Sequence, residues 1–176
     1  MAGPIMDVGS FKAAFKDGGT RPNRFMIDGE IGAGGGAVNP VMVKAGSMPP
    51  STLGIIQVPF RGRVVKIPGD RAYPEWTFTM LDSFAEGNNF RRKFEDWNEA
   101  FNTHVDNVTT LDLTDDSMFT QWTVRQLDLN GDVKRTVSLH NCWPIEVAAL
   151  DLTYDSADTL VEYTITLAYD WITLDD

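Results

Sequence analysis

Most hydrophobic residues in this chain alternate with polar ones, which is the pattern of strands buried on one face. Alternation predicts strands over 24–31, 75–82 and 161–171, the last with six apolar positions from Val161 to Trp171. The pattern therefore predicts a mainly β fold.

A second group of strands is predicted around Asn130-Gly131, the strongest short hairpin signal in the sequence. Alternating residues flank it on both sides over 122–139. Pro144 predicts the end of a strand, because proline cannot donate to a ladder of hydrogen bonds. A further strand is predicted over 145–154, with a change of phase in its middle that indicates a bulge or a switch of face.

Apolar residues follow helical spacing in two segments. Residues 7–17 form the first, a short amphipathic helix that ends at a pair of glycines. The second follows Asn88 and Asn89, either of which can cap a helix, and its aromatic residues recur at intervals of four, three and four. We expect this aromatic stripe to pack against the core, and its members are Phe90, Phe94, Trp97 and Phe101.

Residues 40–74 carry six of the nine prolines of the chain. Proline is confined to strand edges and loops, so this region is predicted to hold edge strands and a long connector. We place a long proline-rich loop at 40–68. It is too apolar for a free linker, and ordered loops of this length are uncommon unless they have a function. Contact with a partner is the function that we expect.

These elements together predict the fold class. It is mainly β, an antiparallel β-sandwich or barrel of about seven to eight strands, with one long flanking α-helix and a short N-terminal helix. A chain of 176 residues with 43% hydrophobic residues can form one core of this kind. We therefore assign residues 1–176 to a single domain.

Charge is distributed unevenly along the chain. The net charge is -10, which argues against tight binding to nucleic acid, because phosphate contacts need basic residues. Residues 1–93 have a balance of +4 and residues 94–176 one of -14. Such a chain offers complementary surfaces to copies of itself, or a single acidic wall. Part of the acidic excess falls in a predicted exposed acidic loop over 102–117.

No arrangement of residues in the sequence indicates catalysis, and no metal or cofactor site is expected. His140 and Cys142 would share one face of an extended strand, but such a pair serves packing more often than nucleophilic catalysis. Asp128, Asn130 and Asp132 imitate the start of a calcium loop, yet Leu139 stands where the bidentate glutamate belongs. No stretch reaches the ~20 apolar residues of a membrane helix. These features favour a structural protein over an enzyme.

Six short segments, in this order and spacing, are similar to those of a known family. They are GGTRPNRF at 18–25, VPFRGR at 58–63, IPGDR at 67–71, EWT at 75–77, RKFEDW at 92–97 and CWP at 142–144. Over nearly its whole length, the chain resembles the tail tube proteins of contractile-tailed bacteriophages. It departs from them in a glycine-rich insertion at 32–36 and in the acidic loop.

The resemblance implies a β-barrel subunit that forms hexameric rings, which stack into a hollow tube through which viral DNA leaves. The implied partners are further copies of the chain, a tail sheath protein, a tape-measure protein in the lumen, a baseplate hub or tube initiator, and a tail terminator. DNA is implied only as a transient passenger. The implied location is the virion, after assembly in the host cytoplasm.

The resemblance also indicates which residues to consider for assembly. The proline-rich region is the candidate for reaching a neighbouring subunit or ring, through Arg61, Arg63, Lys66, Asp70 and Arg71. An acidic or neutral lumen is expected, because a basic wall would retain passing DNA. The polar face of the last predicted strand is the candidate for that lumen, with Glu162, Thr164, Thr166 and Asp170.

Two alternatives stay open at this point. The first is a tube protein of a type VI-like or bacteriocin-like contractile injection system, or a paralogue that starts the tube at the baseplate. The second belongs to a different class of protein, a monomeric β-barrel that binds a small ligand between its sheet and its helix.

Overall fold

The computed structural model describes residues 7–16, 18–109 and 117–175. Within these ranges there are two α-helices, α1 (Val8–Ala14) and α2 (Phe90–Phe101), and a 3₁₀ turn at Pro40–Met42. The strands are β1 (Phe25–Ile31), β2 (Gly36–Ala37), β3 (Val43–Gly46), β4 (Thr52–Phe60), β5 (Arg63–Ala72), β6 (Trp76–Leu81), β7 (Thr120–Leu127), β8 (Val133–Val147), β9 (Glu162–Ala168) and β10 (Trp171–Asp175).

One antiparallel sheet of eight strands contains most of the β structure in the described ranges. Its order is β2-β1-β7-β8-β9-β6-β3, with β10 also beside β8. The 15-residue strand β8 organises this sheet, because β7 pairs with one of its edges while β10 and β9 follow one another along the other. β4 and β5 pair only with each other. The predicted mainly β, antiparallel fold with a flanking helix is confirmed.

The core is built from aromatic side chains on strands that are not neighbours in the sheet. Phe78 on β6 and Trp122 on β7 have ring centroids 4.9 Å apart, although β8 and β9 lie between their strands. The sheet therefore curves so that its two halves enclose one core. Gly29 permits this packing, because a Cβ at that position would lie 2.3 Å from the buried ring of Trp122.

Helix α2 covers the core with the predicted aromatic stripe. Asn89 caps its start, accepting a hydrogen bond from the Arg92 amide at 3.3 Å. Phe90, Phe94 and Trp97 are buried. The last member of the stripe, Phe101, is half-buried and packs against the rings of Phe119 and Trp143 at centroid distances of 5.7 Å and 5.9 Å.

Helix α1 is shorter than the predicted 7–17, and Asp17 lies outside the described residues. It is capped by Asp7, whose Oδ1 accepts a hydrogen bond from the Ser10 amide at 2.6 Å. This bond holds the pKa of the Asp7 carboxyl below its ordinary value. The helix buries none of its residues, and the rings of Phe11 and Phe15, which pack against each other at a tilt of 41°, remain exposed.

The predicted strand end at Pro144 is wrong, as is the separate strand over 145–154. β8 runs without interruption to Val147, and the residues from 148 to 161 are not in a strand. Pro144 is tolerated because the pairing with β9 shifts register between Pro144 and Glu146. A register shift removes the need for a regular amide donor at that point.

The predicted single strand over 161–171 is two strands. β9 ends at Ala168 and β10 begins at Trp171, and both pair with β8. The break lies opposite Asn141, which has a positive φ of 56°. Asn141 donates a side-chain hydrogen bond to Asp170 at 2.9 Å, and the Asp170 amide donates to the His140 carbonyl. These bonds stabilise the bend between the two strands.

The prediction of a long proline-rich loop over 40–68 needs correction. This region contains β3, β4 and the start of β5, and β4 and β5 form a regular antiparallel hairpin from Thr52 to Ala72. Its prolines are accommodated because neither strand has a second neighbour among the described residues, so the missing amide donors face no partner strand there. Of the predicted acidic loop, residues 110–116 lie outside the described residues. None of the described helices is long and apolar enough to cross a membrane.

Candidate assembly surfaces

The hairpin formed by β4 and β5, residues 52–72, is the most unusual surface of the molecule, and we call it the exposed hairpin. Phe60 and Arg63 face each other across a two-residue turn. Arg61 and Gly62 in this turn have φ angles of 46° and 79°. Positive φ at both central residues is the type I′ geometry, which matches the twist of a hairpin and so extends its two strands.

The exposed hairpin has apolar side chains but no core to bury them. Every residue of β4 is exposed, and every residue of β5 except Gly69. An apolar surface of this kind on an otherwise folded chain marks an interaction site. Its large apolar residues are 41% to 62% exposed, and they are Leu53, Ile55, Ile56, Val58, Phe60, Val64, Val65 and Ile67.

The base of the exposed hairpin is attached to the folded body. Trp76 Nε1 donates a hydrogen bond to the Ser47 carbonyl at 2.7 Å, and Tyr169 Oη donates one to the Pro50 carbonyl at 2.9 Å. The Tyr169 ring also packs against Tyr73. Burial raises the pKa of Tyr169, so its hydroxyl stays a donor at neutral pH. The hairpin therefore has a defined attachment although its strands are free.

All five residues predicted to contact another subunit lie on the exposed hairpin. Arg61, Arg63, Lys66, Asp70 and Arg71 are exposed, and none of them has an ion-pair partner in the described part of the chain. Two of them have other contacts: Arg71 reaches the Ser51 hydroxyl at 3.3 Å, and Arg61 lies over the Phe60 ring. Their contact with a second subunit stays a prediction.

The apolar residues of this hairpin were not identified as a surface from the sequence, which indicated only contact by a loop. The signal was present in Arg61-Gly62, flanked by two alternating apolar segments of similar length. Because the pair is not Asn-Gly or Asp-Gly, and because Pro59 and Pro68 stand in the strands, the hairpin was not recognised.

The residues predicted to face the lumen do not form one continuous wall. Glu162 is exposed and pairs with Lys44, and Thr164 is half-buried. Thr166 is only 8% exposed, since it lies between Thr77 on β6 and Glu146 on β8. The prediction is therefore wrong for Thr166, whose side chain is not available to a bore. Asp170 is exposed but lies beyond the end of β9.

His140 and Cys142 do not share a face of β8. The register between β7 and β8 shifts between Thr120 and Trp122, so that Leu139 and Cys142 are both buried while His140 stacks on Trp171. Burial raises the pKa of the Cys142 thiol to about 12. The thiol is thus protonated at neutral pH and has no histidine beside it on the same face.

The sequence that imitates a calcium loop forms a turn. Asp128 Oδ1 accepts hydrogen bonds from the amides of Asn130 and Asp132 at 2.8 Å and 3.0 Å, and Oδ2 lies 3.4 Å from Lys134. Partial burial opposes its charge, but the hydrogen bonds outweigh this effect and hold the pKa of Asp128 below its ordinary value. No group of acidic, histidine or cysteine side chains within the described ranges is arranged to hold a metal ion.

Comparison with known proteins identifies a family for the chain. The sequence pattern of the phage tail tube protein family matches residues 24–173. The tail tube protein gp19 of Enterobacteria phage T4 is 28% identical over 168 residues, which cover 94% of this chain and 99% of that protein. The tail tube protein of Serratia phage KSP90 is 28% identical over 121 residues, which cover 69% of this chain and 66% of that protein.

Solved structures share the fold at lower sequence identity. A chain of the anti-feeding prophage baseplate aligns with a TM-score of 0.65 and 11% identity, covering 99% of this chain and 97% of that chain. A chain of the sheath-tube complex of the extracellular contractile injection system PVC aligns with a TM-score of 0.61 and 13% identity, covering 97% and 98%.

Proposed function

We propose that this chain, which belongs to the phage tail tube protein family, polymerises into stacked hexameric rings that form the inner tube of a contractile tail. The exposed hairpin is the observation that supports polymerisation most strongly. It presents eight large apolar side chains to solvent in a single copy. Burying a fully exposed side chain of this kind contributes about 1.5–3 kcal/mol, and roughly half of that for side chains that are already half covered, so covering the hairpin with another subunit stabilises the assembled state.

The tube delivers DNA without binding it tightly. The net charge of -10 limits counterion release from DNA, which is the main source of sequence-independent affinity. Glu162 and Asp170 are exposed acids on the C-terminal part of the chain, and with Thr164 they remain the residues that we propose for the lumen. An acidic bore of this kind lets DNA pass as a transient occupant.

The tube works with further proteins of the tail. Relatives of the same fold belong to assemblies described as a sheath-tube complex, a sheath/tube terminator and a baseplate. We infer that this chain likewise contacts a tail sheath protein, a baseplate hub or tube initiator, a terminator and, in the lumen, a tape-measure protein. Its location is the virion, after assembly in the host cytoplasm.

A tube protein of a contractile injection system is the second candidate. The observation in its favour is the fold shared with chains of the anti-feeding prophage and of PVC. The two candidates differ in what surrounds and fills the tube, and the neighbouring genes separate them. A small-ligand barrel has less support, because Phe94 on α2 fills the space between helix and sheet, with its ring centroid 6.3 Å from that of Phe78 and 6.0 Å from that of Trp122.

Electron microscopy and light scattering of the purified full-length chain test the proposal. We expect rings, or hollow tubes of uniform width, at low and moderate salt. A particle of 19.6 kDa at all protein concentrations would contradict polymerisation. A bound small molecule in that particle would support the ligand-binding alternative instead.

A further inference from the structure

The exposed hairpin and a second surface lie at opposite ends of the same strands. The chain leaves β3 at Gly46 to enter the hairpin and returns from it to start β6 at Trp76, which pairs with Leu167 near the end of β9. At the other end of this pairing, Leu81 lies opposite Glu162, where the chain enters β9. The segment that connects β8 to β9 is therefore at the end remote from the hairpin base.

This connecting segment, residues 148–161, is acidic and exposed, and we call it the acidic segment. Asp151, Asp155 and Asp158 are its only charged residues, and all three are exposed without an ion-pair partner in the described part of the chain. It also exposes apolar side chains to an unusual degree, with Leu152 at 82% and Leu160 at 70%.

The ends of the acidic segment are attached to the folded body, as the hairpin base is. The Ala148 amide donates to the Thr164 carbonyl at 2.9 Å, and the Ala148 carbonyl accepts from the Arg91 guanidinium at 2.7 Å. The Val161 carbonyl accepts from the Asp82 amide at 2.9 Å. Between these attachments lies an open groove whose lining includes Leu152, Ser156 and Leu160.

The two surfaces are complementary in both charge and polarity. The exposed hairpin has four basic residues and one acid, the reverse sign of the three aspartates of the acidic segment. Each surface also exposes apolar side chains beside its charges. Opposite charge favours the correct pairing and disfavours contact between two hairpins or between two acidic segments.

Within one copy, the exposed hairpin and the acidic segment are both exposed and start from opposite ends of β6. β6 separates their attachment points by its six residues, which is about 17 Å of extended strand. The strands of the hairpin do not fold back toward the acidic segment of the same copy, since none of their residues is buried against the body. The partner of each surface is therefore another copy.

We propose that the exposed hairpin of one subunit docks on the acidic segment of a subunit in the next ring of the tube. This contact rests on the proposed tube function and names the partner region within it. Because the two surfaces are different and lie at opposite ends of β6 and β9, the contact is head-to-tail, and between stacked rings it leaves one surface free at each end of the stack. Repetition of such a contact extends a stack of rings and gives it a direction.

Charge reversal on each side tests the contact in the full-length chain. The segment variant carries Asp155→Lys and Asp158→Lys, the hairpin variant carries Arg61→Glu and Arg63→Glu, and a combined variant carries all four changes. A control variant with Asp106→Lys and Asp132→Lys makes the same change in net charge as the segment variant, at exposed sites elsewhere. Polymer is measured by sedimentation and electron microscopy, and folding by circular dichroism.

We expect the segment variant and the hairpin variant each to reduce sedimented polymer on the order of tenfold, because like charges then face each other. The combined variant restores the polymer, since its charges are again opposite. The control variant polymerises like the unmodified chain. If a lysine variant does not fold, Asp155→Asn with Asp158→Asn replaces it, with a smaller loss expected.

Two results would overturn this contact while leaving the tube function intact. The first is that the segment variant forms tubes in the same yield as the unmodified chain. The second is that the segment variant and the hairpin variant fold but do not polymerise, and that the combined variant does not restore the polymer. An unmodified chain that stays monomeric contradicts the tube function itself, and with it this contact.

Discussion

Trp76 Nε1 donates a hydrogen bond of 2.7 Å to the main-chain carbonyl oxygen of Ser47, and this bond joins the core to the exposed hairpin. Trp76 is 1% exposed and packs against Phe78 and Trp122. Ser47 follows β3 directly and leads into the hairpin. A residue of the core therefore determines where the hairpin begins.

Replacing Trp76→Phe removes this hydrogen bond and leaves the Ser47 carbonyl without its donor. We expect the free energy of unfolding to fall by about 1–3 kcal/mol, because one hydrogen bond is lost and the smaller ring leaves a cavity in the core, and the tube yield to fall as the hairpin loses its attachment. Urea denaturation and sedimentation measure the two effects. The matched control, Trp171→Phe at a 43% exposed site, leaves tube yield unchanged. Unaltered stability of Trp76→Phe would contradict this role.

Arg63→Glu reverses one charge beside the turn of the exposed hairpin. Since Arg63 is exposed and has no ion-pair partner in the described part of the chain, the isolated monomer keeps its stability within about 0.5 kcal/mol. Polymerisation weakens, because the charge no longer suits an acidic partner. Electron microscopy at low and moderate salt compares it with Lys12→Glu on α1. Normal tubes from Arg63→Glu at both salt concentrations would refute this prediction.

Gly29→Ala places a methyl group in space that the Trp122 ring occupies. The added Cβ would lie 2.3 Å from a ring carbon, and overpacking of this kind costs about 1–3 kcal/mol of unfolding free energy, occasionally more. Thermal denaturation measures the effect, with Glu30→Ala at the neighbouring exposed position as the control. A variant as stable as the unmodified chain would show that the ring moves aside without cost.

Cys142 is expected to be unreactive in the folded chain. Burial raises the pKa of its thiol from 9.0 to about 12, which lowers the thiolate fraction at pH 8 by about a thousandfold. A thiol reagent should therefore label it at most at the rate of unfolding, and quickly in urea. The raised pKa also means that this thiol stabilises the fold below pH 9 and ceases to do so as pH rises toward 12. Fast labelling of native protein at pH 8 would contradict burial.

The sequence correctly predicted those elements whose structure depends only on residues that are close to one another in the sequence. The aromatic stripe of α2 has a spacing that only a helix places on one side, and Asn89 provides its cap. Asn130-Gly131 forms the turn between β7 and β8 as expected, with Gly131 at a φ of 92°. These signals lie within a few residues of the structure that they determine.

The features that were mispredicted depend on distant strands. β8 continues through Pro144 because β9 pairs with it past a register shift, and no residue near Pro144 indicates this. The positive φ of Asn141 separates His140 from Cys142, since it belongs to the bend where β10 replaces β9 beside β8. Burial of Thr166 likewise arises from β6 and β8 on both sides of its strand.

The assembly surfaces required the structure for a similar reason. Basic residues between 61 and 71 could be recognised from the sequence, but the exposure of Ile55 and Phe60 could not, because apolar alternation predicts burial by default. Nothing in the sequence around Asp155 and Asp158 indicates a contact with another subunit. Their position opposite the hairpin base depends on the pairing of β6 with β9.

A helical reconstruction of the polymer by electron cryomicroscopy tests the central claim most directly, because it shows what covers the exposed hairpin. We predict that residues 52–72 of each subunit are buried against a subunit of the adjacent ring, with Phe60 and Arg63 inside the contact. Rings that stack through other surfaces while the hairpin stays in solvent would contradict the account.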